Sequence, residues 1–142
     1  PTSQRLLFSR EVMALARSHD GCRVLVSDDE SLAHAVGAHG LHLSASQLMA
    51  TRQRPTFDYV AASCHSAEEL RHAASIGVDF TLLSPVLPTA SHPGERGMGW
   101  SAFAELIEAS PIPVFALGGM KTGMLEEARG HGAHGIALMR GW

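Results

Sequence analysis

Short runs of β-branched and aliphatic residues recur along the chain, each followed by a stretch in which apolar positions return every three or four residues. RVLVS (23–27), GLHLS (40–44), YVAASC (59–64), FTLLSPV (80–86), PVFALGG (113–119) and GIALMR (135–140) have the length and composition of strands. Between them lie helical patterns. From Phe8 onward one helical face collects Phe8, Val12, Leu15 and Ala16. Ser66-Ala67-Glu68-Glu69 has the form of a capping box, opening a helix with Leu70, Ala73 and Ala74 on one side, and Trp100, Phe103, Leu106 and Ile107 make a third apolar stripe. Strands alternating with amphipathic helices predict βα units around a parallel sheet.

An internal repeat narrows this to a barrel. AVGAHGLHL (35–43), ASIGVDFTLL (74–83) and ARGHGAHGIAL (128–138) share one order: helix end, Gly, small residue, His or Asp, then strand. Gly37, Gly77 and Gly132 suit the left-handed residue that stops a helix before a strand begins. The predicted fold class is therefore α/β, a (β/α)8 TIM barrel forming a single domain over residues 1–142. A barrel of this kind closes with eight strands, and six are legible, with a helix rather than a strand at the start. The expectation is an incomplete barrel, N-terminally truncated, which carries the last six strands and lacks the first two. Its two open strand edges would call for a covering piece from another chain or from a longer polypeptide.

Composition agrees with one globular domain: 142 residues, 45% hydrophobic and 18% charged. A net charge of −3 without a Lys/Arg cluster gives no footprint for nucleic acid or an anionic membrane, and neither partner is expected. No apolar run approaches the length of a membrane span and the opening residues resemble no signal peptide, so the chain reads as cytoplasmic. Cys22 and Cys64 lack paired spacing, and the nine histidines form no HExxH or Cys/His doublet.

In a barrel the chemistry sits in the loops that follow the strands. Gly118 and Gly119 follow the fifth run, where bare amide N–H groups before a short helix can converge on an anion, and Arg140 and Gly141 end the neighbouring strand. Together they fit a phosphate cradle; a tight turn is the plainer reading of the two glycines. The long loop 84–99 carries Thr89, Ser91, His92, Glu95 and Arg96; its hydroxyls and a cation could hold a diphosphate or a second phosphate, or His92 and Arg96 could simply face water. Asp28 is the strand-end carboxylate suited to Mg2+, a metal that takes one or two carboxylates plus phosphate oxygens. Asp28 or Asp29 equally suits the cap of the helix with Leu32 and Val36. Ser63, Cys64 and His65 are adjacent, so their side chains alternate between faces and make no nucleophilic pair; Ser63 is the polar contact at the mouth and Cys64 a small buried filler. Lys121, the chain's one lysine, begins a helix.

These strings resemble the thiamine phosphate synthase/TenI family along essentially the whole chain. GLHLSASQL is similar to that family's GVHLGQ-D-L segment, SCHSAEEL to its S-HS-EE, SPVLPTASH to its GPVFPT-TK, and PVFALGGM with GAHGIALMR to its IPVVAIGG and GADGVAVVS. The resemblance implies a transferase of thiamine biosynthesis or salvage that joins hydroxymethylpyrimidine diphosphate to a thiazole phosphate, releasing diphosphate with Mg2+. In the TenI branch it implies isomerisation of a thiazole carboxylate phosphate. It implies that Thr89 and Ser91 hold diphosphate, that Gly118 and Gly119 hold the thiazole phosphate, that Ser63 lies near the pyrimidine, and that Asp28 binds magnesium. Departures stand beside these matches. His92 replaces a lysine on diphosphate, Gln47 a second acidic metal ligand, Ser27 an asparagine, and Pro85 the tautomerase histidine. PTASHPG and GMGW are most similar to the barrel module fused behind a Nudix hydrolase, which implies an N-terminal Nudix domain in the same polypeptide and, as the alternative function, a non-catalytic ligand-binding accessory module. Homodimer formation through the helices stays open.

Overall fold

The computed structural model describes residues 3–89, 94 and 96–139. In chain order the elements are α1 (Ser3–Ala16), β1 (Leu25–Ser27), α2 (Glu30–Val36), β2 (Gly40–Leu43), α3 (Ala45–Ala50), β3 (Tyr59–Cys64), α4 (Ala67–Ile76), β4 (Phe80–Leu83), α5 (Gly99–Ile107), β5 (Val114–Ala116), a 3-10 turn (Thr122–Met124), α6 (Leu125–Gly130) and β6 (Gly135–Ile136). All six strands pair in parallel, in the order of the chain. Sequential parallel order with helical crossovers is the wiring of a βα barrel, whereas doubly wound folds reverse direction partway. Among the described residues β1 and β6 each pair on one side, so the sheet is open.

Strand register sorts the side chains onto two faces. Val26 pairs Leu41, Leu43 pairs Ala62, and Cys64 pairs Leu83, which in turn pairs Ala116. All of these are buried, covered by Leu32, Leu48, Leu70, Phe103 and other residues of the helices. Each such aliphatic or aromatic side chain contributes about 1.5–3 kcal/mol on leaving water, so the sheet–helix layer is what holds the fold. The other face carries Ser27, His42, Ser63, Phe80, Leu82 and Phe115, all half-buried or exposed. Phe80 and Phe115 meet edge to face across β4 and β5 with ring centroids 5.4 Å apart.

Helix boundaries follow their caps. Gly37 and Gly77 close α2 and α4 at φ 65° and 78°, and Gly132 beyond α6 has φ 89°. Half of the capping box is formed as expected: the Ser66 hydroxyl accepts from the Glu69 N–H, while the Glu69 carboxylate reaches one residue further back and accepts from the His65 N–H. Trp100, Leu106 and Ile107 pack around the buried Phe103 as their stripe predicts. The apolar face of α1 differs from expectation. Of that face Ala16 is buried and Val12 half-buried, but Phe8 and Leu15 are 66% and 64% exposed, and Met13 and Leu6 make the rest of the contact. The helix is rotated so that Arg5 reaches the Ser27 carbonyl (2.9 Å) and the Asp29 carboxylate (3.1 Å), which turns Phe8 and Leu15 outward.

At the N-terminal ends of the strands Arg54 donates to the Gly77 carbonyl (2.9 Å) and pairs with Asp79 (2.7 Å), whose carboxylate also accepts from the Val60 N–H (2.6 Å). This clamp lies at the end of the barrel that serves stability. Among the described residues no helix is long and apolar enough to cross a membrane.

Candidate active site at the strand ends

Three polar side chains gather where β1, β2 and β3 end. Asp28 adopts φ 54°, a left-handed conformation that Asp tolerates better than most residues, and its N–H donates to the His42 carbonyl (3.0 Å). Its carboxylate Oδ1 accepts from the Ser44 N–H (2.7 Å). His42 Nε2 is hydrogen-bonded to the Ser63 hydroxyl at 2.8 Å. Burial lowers the His42 pKa from its ordinary value of 6.5, and the nearby Asp28 charge offsets this only in part. The ring is therefore neutral at pH 7, able to hold the Ser63 hydroxyl or take a proton from it.

Ser63, Cys64 and His65 diverge as strand alternation requires. Cys64 turns into the helix-covered core, where burial, with a smaller contribution from the Glu69 charge, pushes its thiol up to about 12. His65 reaches instead to β4. His42 was not among the sequence candidates, although its signal is present: Leu41 and Leu43 claim the buried face of GLHL, which sends His42 to the face that Ser63 shares.

The two carboxylates after β1 have separate duties. Asp29 is the helix cap, accepting from the Leu32 N–H at 2.8 Å and pairing with Arg5. Asp28 is left at the rim, with one oxygen held by Ser44. Gln47, exposed in α3, carries no charge. Among the described residues no three His, Cys, Asp or Glu side chains group as a metal site. The donor set fits Mg2+ of the substrate-completed kind, one protein carboxylate with phosphate and water oxygens making up the rest.

Beyond β5, Gly118 and Gly119 both have positive φ, 96° and 70°. A Cβ on Gly118 would stand 2.8 Å from Pro85 Cα, and one on Gly119 2.7 Å from Leu87 Cβ and 2.8 Å from the Pro88 carbonyl oxygen. The first stretch of the β4 loop lies directly on the glycine pair, with the Val86 N–H donating to the Leu117 carbonyl (2.9 Å) and the Leu87 N–H to the Gly118 carbonyl (3.1 Å). Packing thus demands glycine here whatever binds. The amide N–H groups of Gly118 and Gly119 have no protein acceptor among the described residues. Lys121 is exposed at the cap of the 3-10 turn and begins a helix as expected. Thr89 is half-buried on the loop. Ser91, His92, Arg140 and Gly141 lie outside the described residues.

Comparison with known proteins places this rim in context. The thiamine monophosphate synthase family matches residues 1–142. "Putative thiamine-phosphate synthase 2" of Aquifex aeolicus is 35% identical over 133 residues, 92% of this chain and 70% of that protein. "Thiamine-phosphate synthase" of Prochlorococcus marinus is 33% identical over 139 residues, 96% of this chain and 39% of that protein. Among solved structures, thiamine phosphate pyrophosphorylase from Pyrococcus furiosus superposes with a TM-score of 0.77 at 27% identity, over 97% of this chain and 67% of that one. With the family matched over the whole chain and a relative 35% identical, the chain belongs to the thiamine monophosphate synthase family.

Proposed function

We propose that this chain holds the phosphate-binding rim of a thiamine phosphate synthase, which joins hydroxymethylpyrimidine diphosphate to a thiazole phosphate and releases diphosphate in the cytoplasm. The observation that carries this reading is the pair of amides at Gly118 and Gly119, which have no acceptor among the described residues and are set against the loop that follows β4. Such amides stabilise an anion without a charged side chain. In this reading they hold the thiazole phosphate with Arg140 and Gly141, while Thr89, Ser91 and His92 hold the diphosphate. Ser63, aligned by His42, contacts the pyrimidine. Strands lie about 4.8 Å apart, so the ends of β3 and β5 are separated by roughly 10 Å, a span that accommodates two ligands side by side.

Asp28 would hold Mg2+, which when bound supplies positive charge to the departing diphosphate. Asp28 keeps one oxygen on the Ser44 N–H, and that bond orients the other. His42 stays neutral and fixes the Ser63 hydroxyl. Pro85, where the tautomerase branch has histidine, offers no titratable group, so isomerisation is not part of the proposal.

The alternative of an accessory module behind a Nudix hydrolase domain is favoured by His92 and Gln47, which stand where the family has a lysine and a second acid, while the relatives named above carry synthase names. Calorimetric titration with thiazole phosphate and with pyrimidine diphosphate, each with and without Mg2+, separates the two. Saturable binding of both, with Mg2+ strengthening the diphosphate, and turnover to thiamine phosphate are expected. Binding without turnover in the whole protein would favour the accessory role, and binding of neither would refute the proposal.

A further inference from the structure

We propose that His65 is a positioning residue that holds the first stretch of the β4 loop, from Ser84 to Thr89, in place through the Ser84 carbonyl; the inference rests on the reading of that loop given above. His65 stands between the last residue of β3 and Ser66, the cap of α4. Its backbone is pinned, since its N–H donates to the Glu69 carboxylate while Ser66 caps the same turn. The imidazole crosses to the neighbouring strand, with Nδ1 2.8 Å from the Ser84 carbonyl oxygen and 3.4 Å from the Ser84 hydroxyl. A carbonyl can only accept, so Nδ1 carries the proton and the tautomer is set.

Ser84 is where the hold of β3 on β4 ends. Its N–H donates to the Cys64 carbonyl (3.1 Å), after which the chain of β3 turns away into α4. Pro85 has no N–H to offer. The next backbone bonds, from Val86 and Leu87, go to the β5 side at Leu117 and Gly118. The imidazole thus supplies the donor missing on the β3 side. Ser84 is only 7% exposed, and without the ring its carbonyl loses that donor. The consequence reaches both anion sites, because Pro85 and Leu87 lie against Gly118 and Gly119, and Thr89 follows two residues later. His65 itself is solvent-exposed, so water can replace part of the bond, and loss of alignment exceeds loss of stability.

The test uses three variants of the whole protein. In His65→Asn the amide nitrogen stands near the place of Nδ1; in His65→Gln it reaches toward the place of Nε2; His65→Leu keeps bulk without a donor. Inorganic pyrophosphate binding, with Mg2+ present, is read by calorimetry, and hydrogen exchange of the Val86 and Leu87 amides by NMR. We expect His65→Leu and His65→Gln to weaken pyrophosphate about tenfold, the equivalent of one lost hydrogen bond, and to speed exchange at both amides. His65→Asn should restore most of both, with melting temperatures nearly equal across the set. Normal exchange and normal pyrophosphate binding in His65→Leu, or an Asn variant as impaired as Leu, would overturn the positioning role. A wild-type protein that binds no pyrophosphate would overturn the diphosphate reading of the loop and the role built on it, while the exchange rates still report whether the His65 contact holds the loop.

Discussion

Thr81 in β4 is completely buried, and its hydroxyl has no hydrogen-bond partner among the described residues. An unpaired buried hydroxyl costs about 1–3 kcal/mol, and valine has nearly the same shape with a higher strand preference. Thr81→Val should therefore raise unfolding stability by about 1 kcal/mol in a urea titration. His42 makes the opposite kind of prediction. Its folded pKa lies below the ordinary 6.5, so between those values the unfolded chain binds more protons than the folded one. The stability associated with the neutral ring is complete above about pH 6.5 and declines as pH falls toward the folded value. Melting curves of the wild type and His42→Gln, recorded from pH 7.5 down to pH 5, should show the flatter acid slope in the variant; superimposable slopes would contradict the burial argument.

At the scale of elements, the β1–α2 junction separates two neighbouring carboxylates by role. Asp29 caps α2 and pairs with Arg5, so Asp29→Ala should cost about 1–2 kcal/mol of stability and leave Mg2+-dependent pyrophosphate affinity unchanged. Asp28→Asn keeps a side chain that tolerates the left-handed backbone and still offers an oxygen to the Ser44 N–H. It should leave stability within about 0.5 kcal/mol of wild type and abolish the Mg2+ enhancement. Denaturation and calorimetry on both variants check the division; exchanged phenotypes would mean that the metal carboxylate is Asp29. The residues alone left either Asp as the cap, because both precede the helix. Which one turns inward depends on the φ of Asp28 and on Arg5 arriving from α1, and neither is visible in a local pattern.

Across the whole molecule, the asymmetry between the two sheet faces matters most. One face is sealed by helices; the other leaves Phe80, Leu82 and Phe115 half-buried, and β1 and β6 have unpaired edges among the described residues. Open edges beside apolar surface recruit further strands. With Leu7, Phe8 and Leu15 exposed on α1 as well, the 142-residue chain in isolation should self-associate, its weight-average mass rising with concentration in sedimentation experiments and its surface binding a hydrophobic dye. A strictly monomeric chain without dye binding would show that these surfaces are covered in solution.

The alternation of strand and helix, the glycine stops at Gly37, Gly77 and Gly132, and the Ser66 cap of α4 were legible from residue order, because each depends on interactions spanning only a few positions; the parallel sheet was legible indirectly, since strands joined by helical crossovers run the same way. The glycine pair after β5 was legible as a turn that could bind an anion. Its contact with Pro85 and Leu87 was not, since those residues are more than thirty positions away and meet it only because β4 and β5 are neighbours. The same holds for the His42–Ser63 bond, the reach of His65 to Ser84 and the outward turn of Phe8. Periodicity says that a face exists, but the packing of distant elements decides what that face meets.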